Sequence, residues 1–541
     1  MEQTADIDCT HRISFAEAPH ISTLIKTYLA GELPSDCYGR NPDIAGLQAQ
    51  AKEKLTHFPK NHRTTLVNTL HRQYALCNTG MTDKAAVLKN IDLLSEKNTV
   101  TVTTGHQLCL AGGPLYSFYK IISTIATCRK MQVQQPDINF VPVFWMASED
   151  HDWEEINHFH YQGEKWTWEK EAQGAVGRFS TEGLTSFLDA FEKRLPKGEV
   201  AGEMIQYLRN AYDQHTNLAD ATRQWVHDMF GTYGLVVLNA DDAELKTLMM
   251  PLVEEELFGK GVGNAVDQHS AILEENGFSA QAKPAAINIF YLGNGDRVYI
   301  EKTESGFRAG GLVFSEDEMH QTMRSNPEHF SPNVILRPVY QEMILPNIAY
   351  YGGPGELAYW FQLKGVFDQL SLPFPVLLLR HGFALLNSKD MRRYEKLNTD
   401  LIFQASKDWK GAWVHANSDL RLELTKEKQS ITEMFDTLAN LAKQTDGSME
   451  GAVNAQRAKQ LKGLEKLEKK LVRAEKRHHT EAMAHIDALL AVLYPCNTPQ
   501  ERFDSLWQWW MAFGKNPIPA LLHQAETEVP PSSFMVVSRM S

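Results

Sequence analysis

Two short runs hold the side chains best suited to chemistry: Gly105-His106-Gln107 and Glu149-Asp150-His151-Asp152. An imidazole among carboxylates can take or give a proton near neutral pH, and the carboxylates can hold an ammonium group. A third run, Gly352-Gly353-Pro354-Gly355-Glu356, precedes Leu357 to Leu363, whose apolar residues recur at helical spacing. Glycines let a ligand approach the backbone, and a helix start offers free N–H groups to an anion or a sugar hydroxyl. Arg337 and Arg380 add guanidinium forks that match carboxylate or phosphate geometry. Other readings stay open at this point. Glu149 to Asp152 could be a solvated turn that caps the next helix. His151, Asp152, Glu155, His158 and His160 could form the zinc or manganese site of a hydrolase, although no H-E-x-x-H spacing is present.

The elements that must position these runs are legible in the apolar pattern. Thr99 to Thr104 is a β-branched run that predicts a buried strand ending at Gly105. Leu115 to Ala126 has helical spacing, and Phe140 to Ala147 is a second buried strand ending in the acidic run. Strand, helix, strand implies a parallel pair with a right-handed crossover, so both polar runs emerge at one sheet edge, where open α/β sheets bind ligands. Further buried strands are expected at Gly234 to Ala240, followed by Asp241-Asp242, at Pro346 to Tyr351, and at Phe374 to Leu379, which ends in the charged pair Arg380-His381.

Residues 1–98 read as a helical lead-in, 99–160 as the first half of the core, and 161–230 as a helical insertion without a core strand. The core continues over 231–260 and is interrupted at 261–332 by a second insertion. There Ala285 to Leu292 and Arg297 to Ile300 flank the Gly293-Asn294-Gly295-Asp296 turn as a hairpin. The second half of the core occupies 333–390. Over 391–494, Leu424, Ile431, Phe435, Leu438 and Leu441 form one stripe and Leu464, Leu467, Leu471 and Ala474 another, with Thr445-Asp446-Gly447-Ser448 as the turn between two long helices. This antiparallel coiled-coil arm is expected to dimerise, and its Lys- and Arg-rich run from Lys462 to Arg477 reads as a solvated face. The tail, 495–541, is aromatic enough to dock on the body.

A net charge of −13 argues against general affinity for nucleic acid. The acidic Met1 to Asp6 is followed by no apolar run and no stretch is long enough to cross a bilayer, so a cytoplasmic protein is expected. Six scattered cysteines without a C-x-x-C pair read as reduced thiols, with no zinc knuckle or other tightly bound transition metal.

Together, Thr104-Gly105-His106-Gln107, Gly113-Pro114-Leu115-Tyr116, Pro142-Val143-Phe144-Trp145, Glu149-Asp150-His151-Asp152, Asn157-His158, Leu336-Arg337-Pro338 and Gly352-Gly353-Pro354-Gly355-Glu356 resemble the cysteine-adding BshC family of bacillithiol biosynthesis. The resemblance spans nearly the whole chain. It implies an α/β fold: a Rossmann-like parallel-sheet core with two inserted connecting segments and a long α-helical coiled-coil arm used in a homodimer. It also implies a ligase that joins L-cysteine to glucosaminyl-malate through an amide bond, with ATP and Mg2+. An amide forms from a carboxylate and an amine only through an activated acyl group, so a nucleotide is chemically sensible. The core plan is similar to that of class I aminoacyl-tRNA synthetases. Gly105-His106-Gln107 stands for their phosphate-binding signature, with one histidine where that signature has two, and Ser388-Lys389 resembles a remnant of their lysine loop.

On this reading Gly105, His106 and Gln107 hold the phosphates, and Gly352, Gly353, Gly355 and Glu356 the nucleoside. Asp150, His151 and Asp152 do the chemistry, with His151 as base for the attacking amine. Glu149, Asn157, Arg337, Tyr359 and Arg380 hold substrate. The rival functions are the metal-dependent hydrolase, using His151, Asp152 and His158, and a scaffold whose coiled coil binds a partner.

Overall fold

The computed structural model describes residues 7–18, 21–78, 81–171, 173–293, 295–398, 400, 403, 408–446 and 448–539. Asn294 and Gly447, at the tips of the two expected turns, and the acidic Met1 to Asp6 lie outside the described residues. The chain divides into two compact units, one of residues 1–16, 21–385 and 498–541 and one of residues 17–20 and 386–497.

In the larger unit the core sheet has five strands, β1 (Thr99–His106), β2 (Asn139–Met146), β3 (Val236–Asn239), β4 (Asn347–Gly352) and β5 (Val376–Leu379). They lie in the order β5-β4-β1-β2-β3 and every neighbouring pair is parallel. A parallel sheet covered on both faces leaves no strand position in water. Accordingly all six residues of β4 and all four of β5 are buried. The Ile44–His57 and Leu115–Gln134 helices supply Leu47, Ala51, Cys128 and Met131 to a core that also contains Val100, Val102, Phe140, Ile348 and Val376.

The strand order reverses direction at β1: from β1 the chain goes outward through β2 and β3, then returns to the other side of β1 as β4. Ligands of open α/β sheets sit at this switch point, beyond the carboxyl ends of the strands. The register makes those ends level, with Gly105 opposite Trp145, Thr104 opposite Tyr351, and Gly352 opposite Leu379.

Several expectations need correction. The lead-in is not wholly helical: Ile7–Ser14 is a strand, antiparallel to Ser533–Arg539, in a three-stranded sheet completed by Gly382–Leu386. Only two of its side chains are buried, too few for an apolar run to announce it. The first insertion begins with a hairpin, His158–Tyr161 paired to Glu164–Thr167, that straddles the expected boundary at 160. In the second insertion the hairpin is Ile289–Gly293 and Asp296–Thr303, two strands of a five-stranded antiparallel sheet. Trp507 and Trp510 of the tail are fully buried, and the Trp507 indole N–H donates to the Ala111 carbonyl at 2.8 Å.

The smaller unit is helical. Thr425–Thr445 and Met449–His478 run antiparallel, their ion pairs Lys443–Glu450, Asp436–Arg457 and Lys428–Glu468 stepping along the two helices in opposite directions. The expected stripes meet the seam only in part: Phe435 is buried, with Ala439, Ala442 and Val472 beside it, whereas Leu438, Leu441, Leu467 and Leu471 are exposed. Two helices cover only a narrow stripe of each other, which leaves the flanking leucines in solvent.

Candidate active site

A cleft of about 500 Å³ opens at the switch point, lined by Gly105, His106 and Gln107 after β1, Asp150 and Glu155 after β2, and Gly353, Gly355, Glu356 and Tyr359 after β4. Arg337, Arg380 and Arg502 also line it. A more open, acidic recess formed by His151, Asp152, Trp153, Glu154 and Lys170 shares Gln107, Asp150 and Glu155 with the cleft. The two are thus adjoining parts of one rim.

The rim is held by charge pairs rooted in the core. Lys120 projects from the buried face of the Leu115–Gln134 helix; its ammonium donates to the Gly105 carbonyl and, at 2.7 Å, to Glu356. Burial pushes this lysine's pKa down, opposed by Glu356. The Glu356 carboxylate also accepts the Tyr350 hydroxyl at 3.0 Å and the Gly353 N–H at 2.9 Å. Burial alone would raise its pKa, but Lys120 and the Gly353 N–H hold it below the usual carboxylate range. Sequence reasoning missed Lys120, although a lone lysine inside an apolar helix was a usable signal.

His106 sits edge-on to Tyr116 with its Nε2 3.7 Å from the Cys109 thiol. Burial, aided by Lys120, pushes this imidazole down to about 3. It is neutral at physiological pH and can meet a phosphate as an N–H donor, not as a cation. Gln107 donates its amide to Asp150 at 3.3 Å and to Glu155 at 2.9 Å. Asp150 also accepts the His151 backbone N–H and has Arg337 at 3.9 Å. Burial would raise its pKa, yet Arg337 and that backbone N–H keep it below normal.

Other expected site residues are taken up by neighbouring groups or lie off the cleft. Glu149 is buried in an ion pair with Lys246 at 2.7 Å, and Lys246 in turn binds Asp241 at the end of β3. The Asp152 carboxylate accepts the Glu155 N–H and caps the short Trp153–Ile156 helix. The Asn157 side chain lies 3.1 Å from its neighbour His158. Gly352 does not line the cleft: a Cβ there would stand 2.9 Å from Leu357. At Gly355, by contrast, a Cβ would meet nothing within 4 Å. Arg380 lines the cleft, but its fork is taken up by Glu501 of the tail at 2.7 and 2.5 Å. His381, expected to be charged, is buried, and that burial lowers its pKa to about 4.

Two further arginines went unnoticed in the sequence. Arg502 comes from the tail, and Arg297 from the second insertion reaches His151; no local pattern connects either with the rim. The donors of the metal-site reading do not converge. His151 meets Arg297, His160 stacks on Phe503 at 4.1 Å, and among the described residues no three His, Cys, Asp or Glu side chains form a group able to hold a metal ion.

Residues 9–381 match the family model "Bacillithiol biosynthesis BshC, N-terminal Rossmann-like domain", and residues 385–532 match the corresponding C-terminal coiled-coil domain. A protein of Flavobacterium johnsoniae named "Putative cysteine ligase BshC" is 40% identical over 96% of this chain and 97% of its own length. A namesake from Flavobacterium psychrophilum is 40% identical over 94% and 95%, and one from Cytophaga hutchinsonii 38% over 92% and 93%. The matches cover the strand ends, the glycine turns and the helical unit alike, and the chain belongs to the BshC family of bacillithiol biosynthesis.

Proposed function

We propose that this chain is the cysteine ligase of its family, joining the carboxyl of L-cysteine to the amine of glucosaminyl-malate in an ATP- and Mg2+-dependent reaction at the switch-point cleft. The observation that carries the reading is the convergence of Gly105 to Gln107, Asp150, Arg337 and Gly353 to Glu356 on one cavity at the carboxyl ends of β1, β2 and β4. The donor set suits a nucleotide: Arg502 for phosphate charge, neutral His106 and the Gln107 amide as hydrogen-bond partners, and open space at Gly355. When bound, ATP supplies the leaving group that activates the cysteine carboxyl.

The protein's own part is positioning and charge. Asp150 and Glu155, tied together through Gln107, face the neck between cleft and recess and hold an ammonium group there. Asp150 is the group placed to receive a proton from the attacking amine. Tyr359 and Arg337 hold the substrate's carboxylate end. The exposed leucines of the helical unit are the surface through which we infer a homodimer. All six cysteines are free, which supports a reaction in a reducing compartment.

The test is reconstitution: purified protein, L-cysteine, glucosaminyl-malate, ATP and Mg2+, with product and spent nucleotide read by mass spectrometry. Bacillithiol formed in step with nucleotide consumption supports the reading. Absence of product from folded protein refutes it.

A further inference from the structure

Arg297, on the Asp296–Thr303 strand of the inserted antiparallel sheet, has no part in the reading above. Each of its three guanidinium nitrogens reaches an acceptor: Nη1 lies 2.8 Å from Nδ1 of His151, Nε 3.3 Å from the Ser331 hydroxyl oxygen, and Nη2 3.2 Å from the Pro332 carbonyl. The cation also sits 3.8 Å from the centre of the Phe290 ring, which packs on Tyr299. Burial, with Arg337 second, lowers its pKa to about 10, so it is still charged at neutral pH.

A guanidinium has N–H donors and no acceptor. The 2.8 Å contact is therefore an N–H given to the lone pair of Nδ1, and the neutral ring carries its own proton on Nε2. An imidazolium would set N–H against N–H at that contact. Asp150, whose carboxylate is 3.7 Å from Nδ1, is too far to compete for it. With one nitrogen occupied and the other protonated, the imidazole has no free lone pair to receive a proton.

We propose that Arg297 is a positioning residue that sets His151 as an Nε2–H donor toward an oxygen of bound ligand and removes it as a base. This reverses the role expected for His151 from the sequence, and gives the inserted sheet a function: delivering a cation to the rim of the core. The proposal rests on the ligase reading only for the nature of that oxygen, a carboxylate or phosphate oxygen of substrate.

The tautomer is read directly on the full chain with ring-15N histidine, using long-range proton–nitrogen correlations and assigning His151 by its absence in His151→Gln. Expected at pH 7 is a bare Nδ1 and a protonated Nε2. Arg297→Met should bring a mixture of tautomers, and Arg297→Lys, which keeps a charged donor, should restore the wild-type pattern. A protonated Nδ1 in the wild type, or an unchanged ring in Arg297→Met, overturns the assignment.

Turnover provides a second arm that leaves Arg297 intact. His151→Gln retains a side-chain N–H but no titratable nitrogen and should keep about a tenth of turnover or more, whereas His151→Ala should lose about a hundredfold, the scale of one positioned donor. Equal losses in the two variants would overturn the donor role. Failure of the ligase reading would show instead as no amide product from wild type, with the tautomer result still readable.

Discussion

Replacing Lys120 by Met removes one partner of an ion pair that ties three elements together, the end of β1, the Leu115–Gln134 helix and the start of the Pro354–Phe361 helix. The lysine is 1% exposed and Glu356 about 30%. Breaking a fully buried pair from one side costs about 3–5 kcal/mol, because the partner charge is left without compensation. Glu356 keeps partial solvent contact as well as the Tyr350 hydroxyl and Gly353 N–H, so about 2–3 kcal/mol is the expected loss here.

Hydrogen exchange reports this locally. Exchange across Tyr350 to Leu357 should speed up by about 30- to 150-fold in Lys120→Met, converting that loss at about 1.4 kcal/mol per decade. In the double variant Lys120→Met, Glu356→Gln, the stranded charge is gone and most protection should return. The effect has a defined pH dependence. In wild type the Glu356 pKa is below its unfolded value, so its contribution is present above about pH 4.5 and is lost as pH falls through the folded value. Without Lys120, burial raises that pKa, so the stability gap between the two proteins should narrow as pH falls and close only once pH is below the wild type's lowered folded value. Exchange within about threefold of wild type at pH 7, or no recovery in the double variant, would refute the reasoning.

Arg380→Met strands Glu501 in the interior and should cost about 3–5 kcal/mol, with Arg380→Met, Glu501→Met recovering most of it in chemical denaturation. Gly352→Ala drives a Cβ to 2.9 Å from Leu357 and should lose about 1–3 kcal/mol, whereas Gly355→Ala, with nothing within 4 Å, should leave the melting temperature within a degree or two of wild type, roughly 0.5 kcal/mol. His381 has its folded pKa near 4, below its unfolded value, so the unfolded chain alone takes up its proton as pH drops from 6.5. Its contribution is complete above pH 6.5 and falls by about 2 kcal/mol on going to pH 5. A His381→Gln variant should show a correspondingly flatter dependence of stability between those values.

The sheet and its rim were legible in the sequence because parallel strands buried on both faces read as unbroken apolar runs, and polar residues stand out where such runs stop. That is how Gly105 to Gln107, Asp150 and Gly353 to Glu356 could be placed at one edge without coordinates. What the pattern does not contain is partner choice. Glu149 and Asp150 are neighbours in the chain, yet one is buried against Lys246 and the other lines the cleft, because the strand has ended at Met146 and the chain turns there, the Asp150 N–H donating back to the Ala147 carbonyl. Lys246, Glu501, Arg502 and Arg297 come from segments far along the chain, and nothing local marks them as neighbours of the rim. The same holds for the sheet of Ile7–Ser14 with Ser533–Arg539, whose pairing joins opposite ends of the polypeptide.

The account depends most on the switch-point cleft being where the amide bond is made. Its most direct measurement is turnover by Asp150→Asn and Arg337→Met, each first shown to melt within a few degrees of wild type. Both variants are predicted to lose about a hundredfold or more in amide formation. Near-wild-type turnover in either folded variant would place the reaction somewhere other than this rim.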